Sequence, residues 1–535
     1  MNISESNARR ESSFIESVNP ATLESVGRVE ATDPEQVEQH VRTARQGYLE
    51  WRSVPIKKRA AVLKRAQALM LQHAEDLART ITLEMGRPFT ESMVLELQST
   101  ADLTGYYAAH ARRFLNERRI PLHNVFFMMR KSRIHFEPLG VMGIITPWNW
   151  PLLIPMGCIV PALLAGNAVV FKPSEQTPMT GSKIRDLFVD AGVPDAAFQV
   201  VQGKGAVGAA LVHSSVEKIF FTGSTEVGQR VMEGASRSWK KAVLELGGSD
   251  PAIVCDDADL DITSSGIVWG GFSNCGQNCN GIERVYVQDR VWDPFLQRVI
   301  EKMKRLRVGN GMDPGTDIGP LASHQQVLKM ESIVRHALKQ GAELLLGGKR
   351  VPELAGHFFE PTLLHWPGSL QAPFQEEIFG PVMMVTPFHT DQEAACLANH
   401  SPFGLAASVW TENKRRGEAL ARQLESGTVM INDAIVSFGI AEAGWTGIKK
   451  SGVGWVHGEK GLDEMVNIKY VNRDPLSRTQ KFWWFPYTPA MMQGIKSGMA
   501  FLYGTGVLKK LRLIPGILKF FTGYLAVNRG KEEKW

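Results

Sequence analysis

The sequence predicts an α/β fold built on parallel sheets, and two observations carry that prediction. From about Val141, short apolar runs alternate with Gly-rich turns and helical patterns: GVMGIITPWN, AVVFKPSE, FQVVQG, KIFFTGS, KAVLELGG and PAIVCDDAD. This βαβ rhythm belongs to a parallel sheet with helices on both faces. A second strand–helix series follows through ERVYV, AASVWT and GTVMIN. Neither tandem repeats nor a low-complexity linker interrupts the 535 residues, a length that suggests three to four units of ordinary domain size.

The front of the chain reads as helical. In Thr32-Asp33-Pro34-Glu35-Gln36, Asp33 suits an N-cap, Pro34 the first turn, and Gln36 the returning member of a capping box. Val37, Val41, Ala44, Tyr48 and Trp51 then recur every three or four residues along one face. A second helical stretch runs from about Lys57 to Met85 and stops at Gly86-Arg87-Pro88. The clearest change of composition comes near Asp474-Pro475, where a basic, aromatic tail begins.

Charge is unevenly placed. From Pro475 to Trp535 the chain carries ten Lys or Arg and two acids, +8, so the body holds −3 of the net +5. A general affinity for nucleic acid is therefore not supported, and any charge-driven partner belongs to the tail. The N-terminus, MNISESNARRESSF, has no apolar run after its charges, and no apolar run reaches transmembrane length. A reducing cytoplasm is the expected compartment, where thiols are catalytic or buried.

Five cysteines, at 158, 255, 275, 279 and 396, do not make a disulfide framework. Cys158, Cys255 and Cys396 lie in apolar or helical runs and read as buried structural thiols, as does Cys275. Zinc would need about four ligands in spaced pairs, which the stretch after Cys279 lacks, so no metal site is expected. Cys279 differs because two distant segments supply what a nucleophilic thiol needs: an oxyanion donor and a base for water. Thr146-Pro147-Trp148-Asn149-Trp150-Pro151 sets an amide in a rigid frame. Glu245-Leu246-Gly247-Gly248 sets a carboxylate at the end of an apolar strand, followed by glycines that allow close approach.

PWNWP, FKPSEQTP, FTGSTEVG, LELGG, GQNC, EEIFGP, and GTVMIN with KKSG occur in one order along the chain. Together they resemble the NAD(P)-dependent aldehyde dehydrogenase superfamily, over roughly Ser17 to Arg473. The resemblance implies that Cys279 attacks the aldehyde, with the Asn149 side chain and the Cys279 N–H as oxyanion donors. It implies Glu245 as the base that releases the thioester with water, giving a free carboxylic acid rather than acyl-CoA. For the cofactor it implies Lys172 and Glu175 at the ribose, favouring NAD over NADP, although the family is lax on the point. Gly223 and Ser224 suit a pyrophosphate at a helix N-terminus. Glu377 and Phe379 match residues that hold the nicotinamide ribose and ring, and Trp148 lines the same cleft.

The implied organisation is a Rossmann-like NAD-binding domain (1–119 and 139–247) and a catalytic α/β domain (248–446). A β oligomerisation segment (120–138 with 463–474) and a C-terminal extension (475–535) complete it. Homodimers or homotetramers are the family habit. Two departures stand out. The late segment reads Gly444-Trp445-Thr446-Gly447 and Gly454-Trp455-Val456 where relatives have approximately Pro-x-Gly-Gly and Gly-Arg-Glu. The extension is the other: it suits an arm packed on a neighbouring subunit, a basic segment in peripheral contact with anionic membrane, or an arm reaching a substrate entrance. Trp and Phe around the motifs point to aliphatic or aromatic aldehydes over small charged semialdehydes. The rivals in other classes are a thiol esterase using Cys279, Asn149 and Glu245, and a non-catalytic structural or membrane-associated protein on the same fold.

Overall fold

The computed structural model describes residues 14–124, 127–367, 376–481, 483–485 and 487–528. The N-terminal stretch read for a leader and the last seven residues of the basic tail lie outside them. The described chain forms two compact units: residues 1–116 with 136–469, and residues 117–135 with 470–535.

In the first unit, six strands order as Gly452–Val453, Lys241–Glu245, Lys218–Thr222, Val141–Ile145, Ala168–Lys172 and Phe198–Val200. All pairings are parallel except that of the edge strand Gly452–Val453. The first strand in sequence, Val141–Ile145, lies between Ala168–Lys172 on one side and Lys218–Thr222 on the other. The winding direction reverses there, and in open α/β sheets a ligand crevice opens beyond the strand ends at that point. TPWNW leaves one of those ends and FTGS the other.

A second sheet of seven strands orders as Glu343–Leu346, Thr362–His365, Val382–Phe388, Ile282–Gln288, Asp250–Val254, Ala406–Trp410 and Thr428–Ile431. It is parallel apart from the edge strand Glu343–Leu346. Val and Ile fill its central strands because both faces are covered.

The helix Leu153–Ala165 is buried on every side. Its sequence, LIPMGCIVPALLA, has no polar face, as a core helix requires. Removing one of its leucines would cost about 2–5 kcal/mol in lost burial and cavity.

The entry helix departs from expectation in one detail. Asp33 caps it, accepting from the Glu35 N–H at 2.9 Å, but a 3₁₀ turn Pro34–Gln36 precedes the α-helix Val37–Trp51 and the Gln36 side chain makes no capping bond. Val37, Val41, Ala44 and Trp51 are buried as the periodicity predicts, with Tyr48 half-buried. The stretch read as one helix to Met85 is two, Ile56–Gln72 and Ala74–Met85, bent at His73. His73 leaves helical geometry at φ −103°, ψ 19° although its N–H still donates to the Leu69 carbonyl. No Gly or Pro marks that bend in the sequence. Cys158, Cys255 and Cys275 are buried, but Cys396 is exposed. On the helix Asp391–Asn399, Ala394, Ala395, Leu397 and Ala398 face the core and leave Cys396 on the outer side.

The second unit contains the strand Arg118–Ile120 and most of Lys131–Pro138, paired antiparallel, and the end of Val466–Arg473. Asp474 binds Arg130 at 3.1 Å and Lys481 at 2.9 Å. Two helices follow, Pro489–Tyr503 and Val507–Asn528.

Candidate active site

Cys279 follows the helix Leu260–Phe272 and a tight turn, Ser273–Gly276, and precedes the strand Ile282–Gln288. Asn274, Cys275 and Gly276 all have left-handed backbones, with φ of 51°, 56° and 68°. Two such non-glycine residues in a row are costly, so the surroundings must hold them. The Asn274 N–H donates to both oxygens of Glu91, at 3.2 and 3.0 Å. The Gln277 side chain bridges from the Asn274 carbonyl to the Ala322 N–H. Gly276 admits no side chain, since a Cβ would lie 2.2 Å from the Gly380 carbonyl oxygen.

TPWNW is stitched to this turn. Asn149 Nδ2 donates to the Gln277 carbonyl at 3.1 Å, which leaves its second amide hydrogen for another acceptor. Trp150 Nε1 donates to Asn278 Oδ1 at 3.0 Å. Beneath both lies a buried ionic cluster that the sequence reading missed. Arg87 pairs with Glu96 at 3.2 Å, both side chains fully buried, and its guanidinium stacks over Trp150 at 4.2 Å. Arg87 also donates to the Asn149 carbonyl. The other oxygen of Glu96 caps the core helix, accepting from Leu152 N–H at 3.1 Å and Leu153 N–H at 2.7 Å.

Glu245 ends the strand Lys241–Glu245 and is buried. Its Oε2 accepts from Trp445 Nε1 at 2.8 Å, and its Oε1 has no hydrogen-bond partner among the described residues. Burial pushes its carboxyl well above the usual carboxylate range, and the Trp445 bond opposes this. Burial also pushes the Cys279 thiol up, reinforced by Glu377, Asp250 and Glu245. The two glycines after Glu245 allow the segments to meet: a Cβ on Gly248 would lie 2.3 Å from the Cys279 carbonyl, and one on Gly247 2.5 Å from Glu377 Oε2.

Eight of the ten candidate residues meet around one cavity of about 180 Å³: Trp148, Asn149, Gly223, Ser224, Glu245, Cys279, Glu377 and Phe379. Ser224 caps the helix Thr225–Ser236, accepting from the Val227 N–H. Glu377 Oε1 accepts from the Gly248 N–H at 3.1 Å, and burial beside Glu283 pushes its carboxyl up to about 8. Phe379 meets Trp148 edge to face at 5.5 Å. Its left-handed backbone, φ 55°, is held by Glu283, which accepts from both Ile378 and Phe379 N–H at 2.8 Å. Lys172 and Glu175 stand apart from this lining, ion-paired to each other at 3.3 Å beyond the end of Ala168–Lys172. Burial lowers the Lys172 pKa, with Glu175 opposing the shift.

A second cavity, of about 100 Å³, shares Ile154, Thr222, Glu245, Leu246 and Cys279 with the first. Leu95, Trp150, Trp269, Ile435, Phe438 and Trp445 make its walls apolar. Among the described residues, no Lys, Arg or His lines it. Phe438 also packs against His457 at 4.5 Å, a buried imidazole with no hydrogen-bond partner on either nitrogen among the described residues, whose pKa burial lowers to about 4. Cys279 and Glu245 thus stand where an apolar cavity meets a more polar one, whose lining adds Ser224, Gln326, Lys329 and Glu377 to Trp148 and Phe379.

Comparison with known proteins agrees with this geometry. The model of the Aldehyde dehydrogenase family matches residues 7–471. Mitochondrial succinate-semialdehyde dehydrogenase of Oryza sativa subsp. japonica is 37% identical over 459 residues, 85% of this chain and 86% of that protein. Its counterpart from Arabidopsis thaliana is 38% identical over 462 residues, 86% of each. Among solved structures, an E. coli NADP dependent enzyme superposes with a TM-score of 0.82 at 36% identity, covering 86% of this chain and 94% of that one. Betaine aldehyde dehydrogenase from Staphylococcus aureus, in complex with NAD+, does so with a TM-score of 0.83 at 34% identity, covering 89% and 94%. The chain belongs to the aldehyde dehydrogenase family, and it is an oxidoreductase acting on aldehydes. The family match ends before the basic extension begins.

Proposed function

We propose that the protein oxidises aldehydes with apolar chains to carboxylic acids, with NAD as the favoured acceptor. The observation that carries this reading is the placement of Cys279 and Glu245 between the two cavities. The apolar cavity suits the aldehyde chain. Anchoring the carboxylate of a small semialdehyde there would bury an uncompensated charge, a penalty that discriminates by orders of magnitude. The plant relatives' named substrate is thus not carried over to this chain.

The polar cavity fits a dinucleotide. Ser224 opens a helix N-terminus beside Gly223, and Trp148 and Phe379 offer ring faces. Glu377 would hold a ribose, and Lys172 with Glu175 the other ribose. When bound, NAD supplies the hydride acceptor. The rest falls to the chain's own residues. Cys279 Sγ loses its proton to solvent, adds as the thiolate to the aldehyde carbon and gives a thiohemiacetal, its oxyanion met by the free Asn149 amide hydrogen and the Cys279 N–H. After oxidation to the thioester, Glu245 takes a proton from water, which attacks the acyl carbon and frees the thiol. A carboxyl raised by burial is the stronger base once ionised, so its environment serves this step.

We assign cofactor binding to 1–119 and 139–247, catalysis to 248–446, and assembly into a homodimer or homotetramer to 120–138 with 463–474. The chain is read as cytoplasmic, with the 475–535 extension available for peripheral membrane contact; among the described residues no helix is long and apolar enough to cross a bilayer. The test is NADH formation over short and long aliphatic, aromatic and semialdehyde substrates, with Cys279→Ala as control. Highest kcat/KM on apolar aldehydes, abolished in the control, supports the reading. A preference for succinate semialdehyde overturns the substrate class, and ester hydrolysis without NAD-dependent turnover overturns the reaction.

A further inference from the structure

The helices Pro489–Tyr503 and Val507–Asn528 form a hairpin, crossing where a Cβ on Gly494 would strike the Phe520 ring at 2.2 Å. Their outer faces are apolar. On the first, Met492, Met499 and Tyr503 are exposed in one stripe at helical spacing, with Lys496 among them. On the second, Val507, Leu511 and Leu518 repeat the stripe, and the exposed Arg512 and Lys519 flank it one position along. Trp484, Phe485 and Tyr487 are exposed in the segment that leads in. From 475 to 528 the sequence has seven Lys or Arg and no Asp or Glu.

We propose that this hairpin seats the enzyme on an anionic phospholipid surface. Apolar stripes flanked by cations match the boundary between acyl chains and phosphate headgroups, and Trp and Tyr favour that depth. A self-paired hairpin from a second copy would set five cations against five. Nucleic acid would meet the charges and leave the Met, Leu and Val side chains wet. The hairpin lies on the bilayer and does not span it: the second helix carries Pro515 inside it, and no described helix is long and apolar enough to cross a membrane. Inside the same unit a cavity of about 320 Å³ is lined by Leu476, Phe501, Leu502, Ile517 and Phe521 together with Arg130, Asp474 and Lys481, so it offers both apolar and charged groups to a lipid. This inference deepens the peripheral-contact reading and is independent of the catalytic one.

The experiment is flotation of the full-length protein with vesicles of phosphatidylcholine alone or mixed with phosphatidylglycerol, at low and high salt. Binding is expected only to the mixed vesicles, weakened at high salt. It should fall at least tenfold in Leu511→Asp/Leu518→Asp and in Lys496→Glu/Arg512→Glu/Lys519→Glu, with NADH formation from a soluble aldehyde retained. Quenching of the unaltered protein's tryptophan fluorescence by brominated phosphatidylglycerol, reduced in Trp484→Phe, tests the same contact without a charge change. Equal flotation with phosphatidylcholine alone overturns the anionic preference but keeps the contact. No flotation or quenching overturns both, as does a variant that loses assembly mass without lipid, which would make the hairpin an arm on another copy.

Discussion

Trp445 holds Glu245 by a single hydrogen bond: the indole Nε1–H donates to Oε2 at 2.8 Å while Oε1 has no hydrogen-bond partner among the described residues. The ring is itself fixed by an edge-to-face contact with Phe438 at 5.4 Å. One carboxylate oxygen is therefore anchored and the other is left for water. The indole is also the group that counters the upward pull of burial on this carboxyl. Trp445→Phe keeps the ring and removes the donor. A hydrogen bond to an ionised group favours the ionised form, so its loss should raise the Glu245 pKa further. The acid limb of the kcat profile should then move to higher pH, with KM for the aldehyde little changed. An unmoved limb would make Trp445 only a wall of the cavity.

Glu245→Gln separates the two halves of the reaction. On the proposed mechanism, thiohemiacetal formation and hydride loss would need Cys279 and Asn149, whereas thioester release would need the carboxylate. The variant should show a rapid first turnover of NADH followed by steady turnover at least 10²-fold slower. It should also change stability with a defined sign. The folded carboxyl keeps its proton well above the unfolded value, so ionisation favours the unfolded chain. This group's stabilisation is thus present below the unfolded pKa and is lost as pH rises through the folded pKa. Thermal unfolding of the variant should match the natural protein near pH 4.5 and exceed it at pH 8. Equal midpoints at both pH values would contradict the burial argument.

The buried Arg87–Glu96 pair predicts a structural loss that reaches the site. Arg87→Ala leaves Glu96 charged and unpaired in the core and removes the donor to the Asn149 carbonyl. Breaking one partner of such a pair costs about 3–5 kcal/mol. Denaturant unfolding should show that loss, and kcat should fall alongside it because the TPWNW segment loses a support. A loss below about 1 kcal/mol would mean that the cluster has another compensation.

These examples mark what sequence reading reached. Strands were legible because a βαβ rhythm is local, and Val141–Ile145 through Lys241–Glu245 form where the apolar runs stand. Cys279, Asn149 and Glu245 could be singled out because each sits in a short motif, and the fold brings the three to one cavity. The apolar cavity was not, since Leu95, Trp269, Phe438 and Trp445 come from segments that only the fold brings together. Arg87 and Glu96 were hidden because a buried ion pair looks like two surface charges until its partners are known. The left-handed Asn274 and Cys275 have no sequence mark apart from the glycine after them.

Glu175 and Lys172 carry the prediction on cofactor choice. They stand 3.3 Å apart beyond a strand end, outside the cavity that gathers the other candidate residues. A carboxylate at an adenosine ribose accepts its hydroxyl hydrogens and repels a 2′-phosphate. Glu175→Ala removes the repulsion and frees the Lys172 ammonium to meet the phosphate. The ratio of kcat/KM for NADP to that for NAD should rise about tenfold or more, through tighter NADP binding and weaker NAD binding. Lys172→Met in the same background should reverse the NADP gain and leave the NAD loss. Binding of each dinucleotide, followed by fluorescence without turnover, gives the same comparison free of the aldehyde chemistry. An unchanged ratio in Glu175→Ala would place the ribose elsewhere on the sheet edge.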